Sequence, residues 1–543
     1  MKLIENASKE KLRGGFYTPA PIARFILRWA VNGNKNYDIL EPSCGDGVFL
    51  EQIKENLFAY KSITAVEIDA KESKKSKDLK LPRTNILNKD FFNFANSTKQ
   101  KFDLIIGNPP YIRYQYFNKE QREEVIKIFS KAELKYSKLS NAWVGFIVGS
   151  TLLLKEKGKI GFVIPAEILQ VGYAKQLRNY LAHTYNKINI ISFKKLVFSE
   201  AQQEVILLLC EKNDSREHLI EHLEVEDASK LQNLDVANLK SSRKKIDFKS
   251  NKWTFYFLNQ TEINFIEKLL HQKTIKTIKE YAKVEVGMTT GSNDFFTVNK
   301  TTVDQYDLND YAKPMVGRSV QVISSQFTNQ DWKNNIKENA KAFFLLFPDK
   351  IKLTKKAKEY IVKGEEQNIQ KLYKCSIRNQ WQIVPSVWIS DALFIRRNNI
   401  YPRLILNKAK AFTTDTMHRV TIRKDIDNLD KLKKINPESF IASYYNSLSF
   451  AFAEINGRSH GGGVLELMPS EVENIIFPYD ERNKDLSELI DHMFRSGKTI
   501  HEVLEVTDGI ILKERAGLSD KEIKLANTIW KKLLYRRLGR SKK

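Results

Sequence analysis

The chain has 543 residues, too many for one hydrophobic core, so two large domains and room for a smaller third piece are expected. Hydrophobic residues at 42% and aromatics at 11% are ample for globular cores, and a formal net charge of +24 suits a polyanionic partner, although an AT-rich genome raises lysine usage without one. The three cysteines, Cys44, Cys210 and Cys375, form no CxxC pair, which argues against a disulfide framework or a zinc site and fits a reducing cytoplasm.

The N-terminus, MKLIENASKEKLRGGFYTP, lacks the apolar core of a signal peptide. From there to residue 245, strand-like and helix-like runs alternate. YDILE (37–41) reads as a short buried strand, followed by a Gly-punctuated turn and a helical pattern through Tyr60. SITAVEID (62–69) is a second strand ending in acids, and FDLIIGN (102–108) a third, leading into the irregular NPPYIRYQYF. Ala142 to Glu156 reads as a buried helix, its apolar part too short and too interrupted by Gly and Ser to span a bilayer. KIGFVIP (159–165) follows as a strand, then a helix (172–183) and two apolar runs, INIISF (188–193) and EVILLLC (204–210). Such alternation argues for a parallel α/β sheet with helices on both faces, which binds ligands beyond the C-terminal ends of its strands.

SSRKKIDFKSNK (241–252) is polar and cationic and reads as a linker. A second, mixed α/β domain is expected over 246–480, with aromatic runs such as WTFYF (253–257) and DFFTV (294–298). Residues 481–543 read as a basic helical extension whose end, KKLLYRRLGRSKK, carries no acid and reads as a frayed, solvated helix end.

Four segments carry chemistry. In ILEPSCGDGVFL (39–50), an acid closes a strand and a small-residue turn with Gly45 and Gly47 opens a helix. This pattern serves nucleotide cofactors, or simple packing. VEID (66–69) puts Glu67 where an acid accepts from two ribose hydroxyls, or where it is merely an exposed strand-end acid. NKDFF (88–92) offers Asp90 to an adenine amino group and Phe91 to cover the ring. GNPPY (107–111) follows an apolar strand directly. The amino group of adenine is a poor nucleophile because its lone pair is delocalised. Two acceptors, the Asn108 amide oxygen and the Pro109 carbonyl, would draw its N–H bonds toward tetrahedral geometry and free that pair. Successive prolines fix both acceptors in place, and Tyr111 offers a ring for the base to stack on. No metal is required.

These residues resemble the γ-class N6-adenine DNA methyltransferases of restriction–modification systems, across most of residues 12–211 and in the family's order. The resemblance implies a Rossmann-like class I methyltransferase domain (a mostly parallel seven-stranded sheet, residues 1–245) and a DNA-recognition domain (246–480). It implies S-adenosylmethionine as cofactor and double-stranded DNA as substrate, with the target base flipped out of the duplex. GGFYTPAPIARFIL (14–27) resembles the family's first cofactor segment, which carries over Thr18 and leaves no room for an N-terminal nuclease domain. Glu41 and Ser43 match the sulfonium and methionine side of the cofactor, Gly45 belongs to its Gly-rich turn, Glu67 matches its ribose, and Asp90 with Phe91 its adenine. Pro110 and Phe146 match pocket-lining positions. Asn108, Pro109, Pro110 and Tyr111 form the catalytic loop, and Phe198, in KLVFSEAQQEVILLL (195–209), matches an aromatic that packs against the flipped base. Without the resemblance Phe198 reads as a core residue.

In the C-terminal half, 286–296, 313–320 and 457–478 resemble recognition-domain segments. Arg318, Arg396, Arg397 and Arg403 there would pair with guanine or neutralise phosphate. His460, beside Gly461–Gly463, would approach a DNA backbone or close a tight turn. The resemblance further implies a cytoplasmic monomer, off the membrane, paired with a separate restriction endonuclease. Alternatives are an RNA adenine or protein glutamine N-methyltransferase, both usually shorter, and a non-enzymatic DNA-specificity subunit, which predicts damage at Asn108, Tyr111 or the Gly-rich turn. Cytosine N4 enzymes usually begin the tetrapeptide with Ser.

Overall fold

A computed structural model describes residues 17–31, 36–136, 141–195, 197–198, 204–234, 243–246, 252–271, 275–349, 353–423, 435–460 and 462–539. Gly14–Phe16 of the first cofactor segment, Ser199–Gln203, parts of the linker, Gly461 and the last four residues lie outside them. The chain forms two compact units, Met1–Ile263 with Gly539–Lys543, and Asn264–Leu538.

The first unit is built on a sheet of nine strands among the described residues: β1 (Asp38–Glu41), β2 (Ser62–Glu67), β3 (Thr84–Asn88), β4 (Phe102–Gly107), β5 (Leu154–Pro165), β6 (Lys187–Phe193), β7 (Val205–Glu211), β8 (Leu219–Val225) and β9 (Lys244–Lys245). Their order is β3-β2-β1-β4-β5-β7-β6-β8-β9. The β1 strand pairs in parallel with both β2 and β4, which makes the gap between the ends of β1 and β4 the point where the winding reverses. The β7 strand runs antiparallel between β5 and β6. The sheet is therefore mixed, and wider than the seven strands expected. The two additional strands also correct the linker: Lys244 and Lys245, within 241–252, pair with Ile220 and Leu219 of β8.

Helix α1 (Ala20–Ala30) has an apolar stripe, Ile22, Phe25, Ile26 and Trp29, packed on β4 and β5. It shares a core with α2 (Val48–Glu55) and with alternate strand residues Leu104, Ile106, Leu207 and Leu209. Asp69 caps α3 (Ala70–Asp78), accepting from the N–H groups of Lys71 and Glu72. Three more helices complete this side of the site: α4 (Phe91–Ser97), α5 (Lys119–Lys131) and α6 (Ala142–Leu153), followed later in the chain by α7 (Lys175–Thr184). Helix α6 is buried on nearly every side and passes straight into β5 at Leu154, so the expected helix over 142–156 ends early. Its Gly145 and Gly149 make room for the Phe92 and Phe91 rings, which a Cβ would meet at 3.0 and 3.1 Å. Trp253, Phe255 and Tyr256 of the WTFYF run are buried in a 3-10 turn that belongs to this unit, beyond the boundary read at residue 245.

The second unit contains two four-stranded sheets. One joins 282–286, 417–422, 392–395 and 404–406, all antiparallel. The other joins 297–298, 343–345, 312–316 and 412–413. Helix Ser447–Asn456 packs on Asp520–Leu538, which makes residues 481–538 part of this unit rather than an appendage. Within the basic tail Arg537 is buried, its guanidinium bonded to both carboxylate oxygens of Glu454 at 3.1 and 2.6 Å and to the carbonyls of Asn399 and Gly463. That position is not a solvated helix end: its charge is neutralised inside the unit.

Candidate active site

Three loops, following β1, β3 and β4, meet beyond the C-terminal ends of the strands, beside Glu67 at the end of β2. In the first, Gly47 has φ of +96°, and a Cβ there would stand 2.8 Å from Leu79 Cδ1 and 2.9 Å from Ser76 Oγ, so only glycine lets α2 begin against α3. The Gly45 carbonyl accepts from the Ser76 hydroxyl (2.9 Å), and its N–H donates to Glu67 Oε2 (2.9 Å). The Asp69 N–H donates to Glu67 Oε1 (2.8 Å). Both Glu67 oxygens are thus fixed by backbone donors, each keeping a lone pair for a ligand hydroxyl.

The second loop follows β3. Asp90 Oδ1 caps α4 through the Phe92 and Asn93 N–H groups (2.7 and 3.3 Å), and Oδ2 accepts from Gln121 Nε2 at 2.9 Å. Phe91 stacks on Phe146 with ring centroids 4.7 Å apart. The third loop is the NPPY segment. The Ser43 hydroxyl donates to the Asn108 carbonyl (3.2 Å), tying the Gly-rich turn to this segment across the switch point.

Together these loops enclose a cavity of about 780 Å³. Thr18, Glu41, Ser43, Gly45, Glu67, Asp90, Phe91, Pro110 and Phe146, every residue expected to bind cofactor, line it. Asn108 and Phe198 line it as well; Pro109 and Tyr111 do not. The Tyr111 ring packs against the core beneath, and its hydroxyl donates to Asn108 Oδ1 (2.9 Å) and to the Val163 carbonyl (3.2 Å). The wall also includes Asp46, Asp69, Phe117 and Gln121, which the motifs left unmarked. Gln121 carries a signal of its own, as the third helical residue of a capping box begun by Asn118, whose position brings it to Asp90.

The cavity is acidic. Glu41 is 1% exposed, and its Oε2 has no hydrogen-bond partner among the described residues. Burial, reinforced by Asp46 and Glu67, pushes its carboxyl well above the ordinary range. Burial also raises Glu67 against the pull of its two N–H donors, and raises Asp46. A buried, unpartnered carboxyl among other acids is costly alone and is relieved by a cationic ligand. The chemistry that fits combines a positive centre near Glu41, a diol at Glu67, and a flat ring between the Phe91 side and Asp90. No group of three or more metal-ligating side chains occurs among the described residues.

Comparison with known proteins agrees in both halves. Residues 28–198 match the family described as Eco57I restriction-modification methylase, and residues 250–512 match the family described as Type II methyltransferase M.Eco57I, C-terminal domain. The chain belongs to the DNA methyltransferases of restriction–modification systems. This methyltransferase is 27% identical to the type II methyltransferase M.AccI of Acinetobacter calcoaceticus over 531 residues, 93% of each chain. It is 27% identical to M.HincII of Haemophilus influenzae over half of its own length and 52% of that protein's. Among solved structures, the DrdV–DNA complex and a nuclease-deletion mutant of LlaGI bound to a DNA substrate mimic each align with a TM-score of 0.50 at 13% identity. They cover 89% and 90% of the methyltransferase and 58% and 55% of their own chains, a likeness of fold alone. The mixed α/β fold of the first unit is that of a class I methyltransferase.

The arginines expected to touch DNA are placed differently from one another. Arg396 and Arg397 both pair with Glu466 (3.0 and 3.1 Å), and His460 bonds the other Glu466 oxygen at 2.9 Å. The His460 bond, then the arginines, hold the Glu466 carboxyl down to about 2. Arg403 donates to backbone carbonyls of Ser319 and Val322, and Arg318 is exposed. No helix of the described residues is long and apolar enough to cross a membrane.

Proposed function

We propose that this methyltransferase transfers a methyl group from S-adenosylmethionine to the N6 amino group of adenine at a specific site in double-stranded DNA, with the target base turned out of the helix. The observation that carries the reading is Asn108 in the wall of a cavity whose depth holds the unpartnered Glu41 carboxyl.

Bound S-adenosylmethionine supplies an electrophilic methyl on a sulfonium. Glu41 offers a buried anion to the positive methionine end, and Glu67 accepts from the ribose hydroxyls. Asp90, steadied by Gln121, accepts from the adenine amino group of the cofactor beside the Phe91–Phe146 stack. On the substrate side, Asn108 Oδ1 and the Pro109 carbonyl accept the two N–H bonds of the target amine and free its lone pair for in-line attack. Ser43, bonded to the Asn108 carbonyl, keeps that loop in register with the cofactor turn. Phe198 gives the flipped base an apolar wall. The proton lost from the methylated nitrogen passes to solvent, because the cationic product is far more acidic than the amine. The protein would act as a cytoplasmic monomer beside a separate restriction endonuclease that cuts the same unmodified site.

The test is methyl transfer from labelled S-adenosylmethionine to unmethylated duplex DNA by the wild-type protein and by Asn108→Ala. Label in DNA with the wild type, lost with the variant while cofactor still binds, is the expected result. Label in RNA or in a protein glutamine, and none in DNA, would overturn it.

A further inference from the structure

Residues 317–323 of the second unit form a loop in which side chains bind six backbone groups, two through the loop's own Gln321 and four from outside it. Gln321 Oε1 accepts from the N–H groups of Gly317 and Arg318 (2.8 Å each), while its Nε2 donates to the Lys341 carbonyl (3.3 Å). The Thr416 hydroxyl donates to the Gly317 carbonyl (2.8 Å), and the Asn335 amide to the Gln321 carbonyl (3.1 Å). Arg403 grips the carbonyls of Ser319 and Val322. A loop pinned by this many side chains has one conformation and little entropy left to lose on binding.

Beside the exposed Arg318 and Ser319, the loop displays two apolar side chains. Val320 is 80% exposed and Ile323 60% exposed, although Val322 between them is buried. Scattered exposed aliphatics are ordinary, but two β-branched side chains on a rigid, projecting turn are not a product of flexibility. Their surroundings carry more cations than acids: Arg318 stands beside them in sequence and Arg403 lies beneath, while Lys341 is balanced by the exposed Asp294 at 2.7 Å. The apolar area is too small for a stable protein interface, and the flanking cations favour a polyanion. In the major groove the apolar group on a base edge is the thymine 5-methyl.

We infer that the 317–323 loop is a base-reading element, in which Val320 packs on a thymine 5-methyl group in the major groove while Arg318 bonds a neighbouring base or phosphate. This rests on the DNA-methyltransferase reading above. Uracil lacks only that methyl group, which gives a clean probe. Once the wild-type protein has marked its sites, duplexes carrying one such site are made with each thymine replaced in turn by uracil.

The expected result is at least one thymine at which uracil lowers wild-type kcat/KM by about fourfold, the scale of one buried methyl group. Val320→Ser should show a similar loss on thymine DNA and no further loss on uracil at that position, with S-adenosylmethionine affinity unchanged. If the wild type methylates the site yet no uracil position matters, or if Val320→Ser responds to uracil as the wild type does, the inference is overturned while the activity stands. If the wild type modifies no duplex, the underlying reading falls and takes the inference with it.

Discussion

The phenolic hydroxyl of Tyr111 donates to the amide oxygen of Asn108 at 2.9 Å, so the acceptor expected to activate the target amine is already engaged. Burial raises the Tyr111 phenol well above its ordinary range, which keeps it a neutral donor across all working pH values. On the proposed mechanism the bond aims Asn108 before substrate arrives, and the incoming amine would displace it. Tyr111→Phe exchanges one net hydrogen bond, so kcat/KM should stay within about tenfold of wild type. Asn108→Ala removes a pre-organised acceptor and should lower kcat by about 10²–10³ or more. Single-turnover transfer compares the two; equal losses would contradict separate roles.

The buried Glu41 carboxyl carries a stability cost that the proposed cationic ligand would relieve. Its folded-state pKa is raised, so between the unfolded value and that raised value the folded state holds a proton the unfolded state has lost. The stabilising contribution is complete below the unfolded pKa and disappears as pH rises through the folded pKa. Glu41→Gln removes the ionisation, and its free form should melt higher than wild type at neutral and alkaline pH. The same change should weaken S-adenosylmethionine binding by about 10- to 100-fold, the worth of a hydrogen bond to a charged group. Calorimetry of the free protein and of binding reads both. Wild-type affinity should also fall as pH drops through the raised pKa.

The Gly-rich turn holds two glycines with different duties. At Gly47 a methyl group meets Leu79 and Ser76 and requires a φ of +96°, so Gly47→Ala should destabilise by about 1–3 kcal/mol. At Gly45 nothing lies within 4 Å of a built Cβ, so Gly45→Ala should cost less stability while intruding on the cavity that Gly45 lines. Urea denaturation alongside cofactor titration separates the pair; a larger stability loss at Gly45 would refute the assignment.

Arg537 should behave as a core residue. Its charge is buried against Glu454, whose own carboxyl is raised by burial and drawn back by the arginine. Arg537→Ala leaves a buried acid unpaired and should cost about 3–5 kcal/mol. Lys532→Ala, at an exposed position of the same helix, should cost far less. Thermal melting of the two variants checks this, and equal losses would contradict it.

The legible parts of the sequence are those where one short segment suffices. Strands such as FDLIIG announce themselves by apolar runs, and the Gly-rich and NPPY turns by residues that few other backbones need. The parts that escape such a reading depend on partners far along the chain. The basic tail looks solvated in sequence because Glu454, which buries Arg537, lies 83 residues away. Lys244 and Lys245 look like a linker because the edge of β8 that recruits them cannot be inferred from their own composition. Tyr111 is marked in the sequence only by its ring, while the bonds of its hydroxyl to Asn108 and Val163 depend on residues that its own segment does not reveal. Gln121 draws no notice because its duty to Asp90 requires the helix of one loop to meet the cap of another.

The most direct measurement is the identity of the methylated base. Duplex DNA labelled by the wild-type protein with S-adenosylmethionine is digested to nucleosides and separated. Label in N6-methyladenine is predicted, because Asn108 opens the tetrapeptide. Label in N4-methylcytosine, or duplex DNA left unlabelled by protein that demonstrably binds the cofactor, would contradict it.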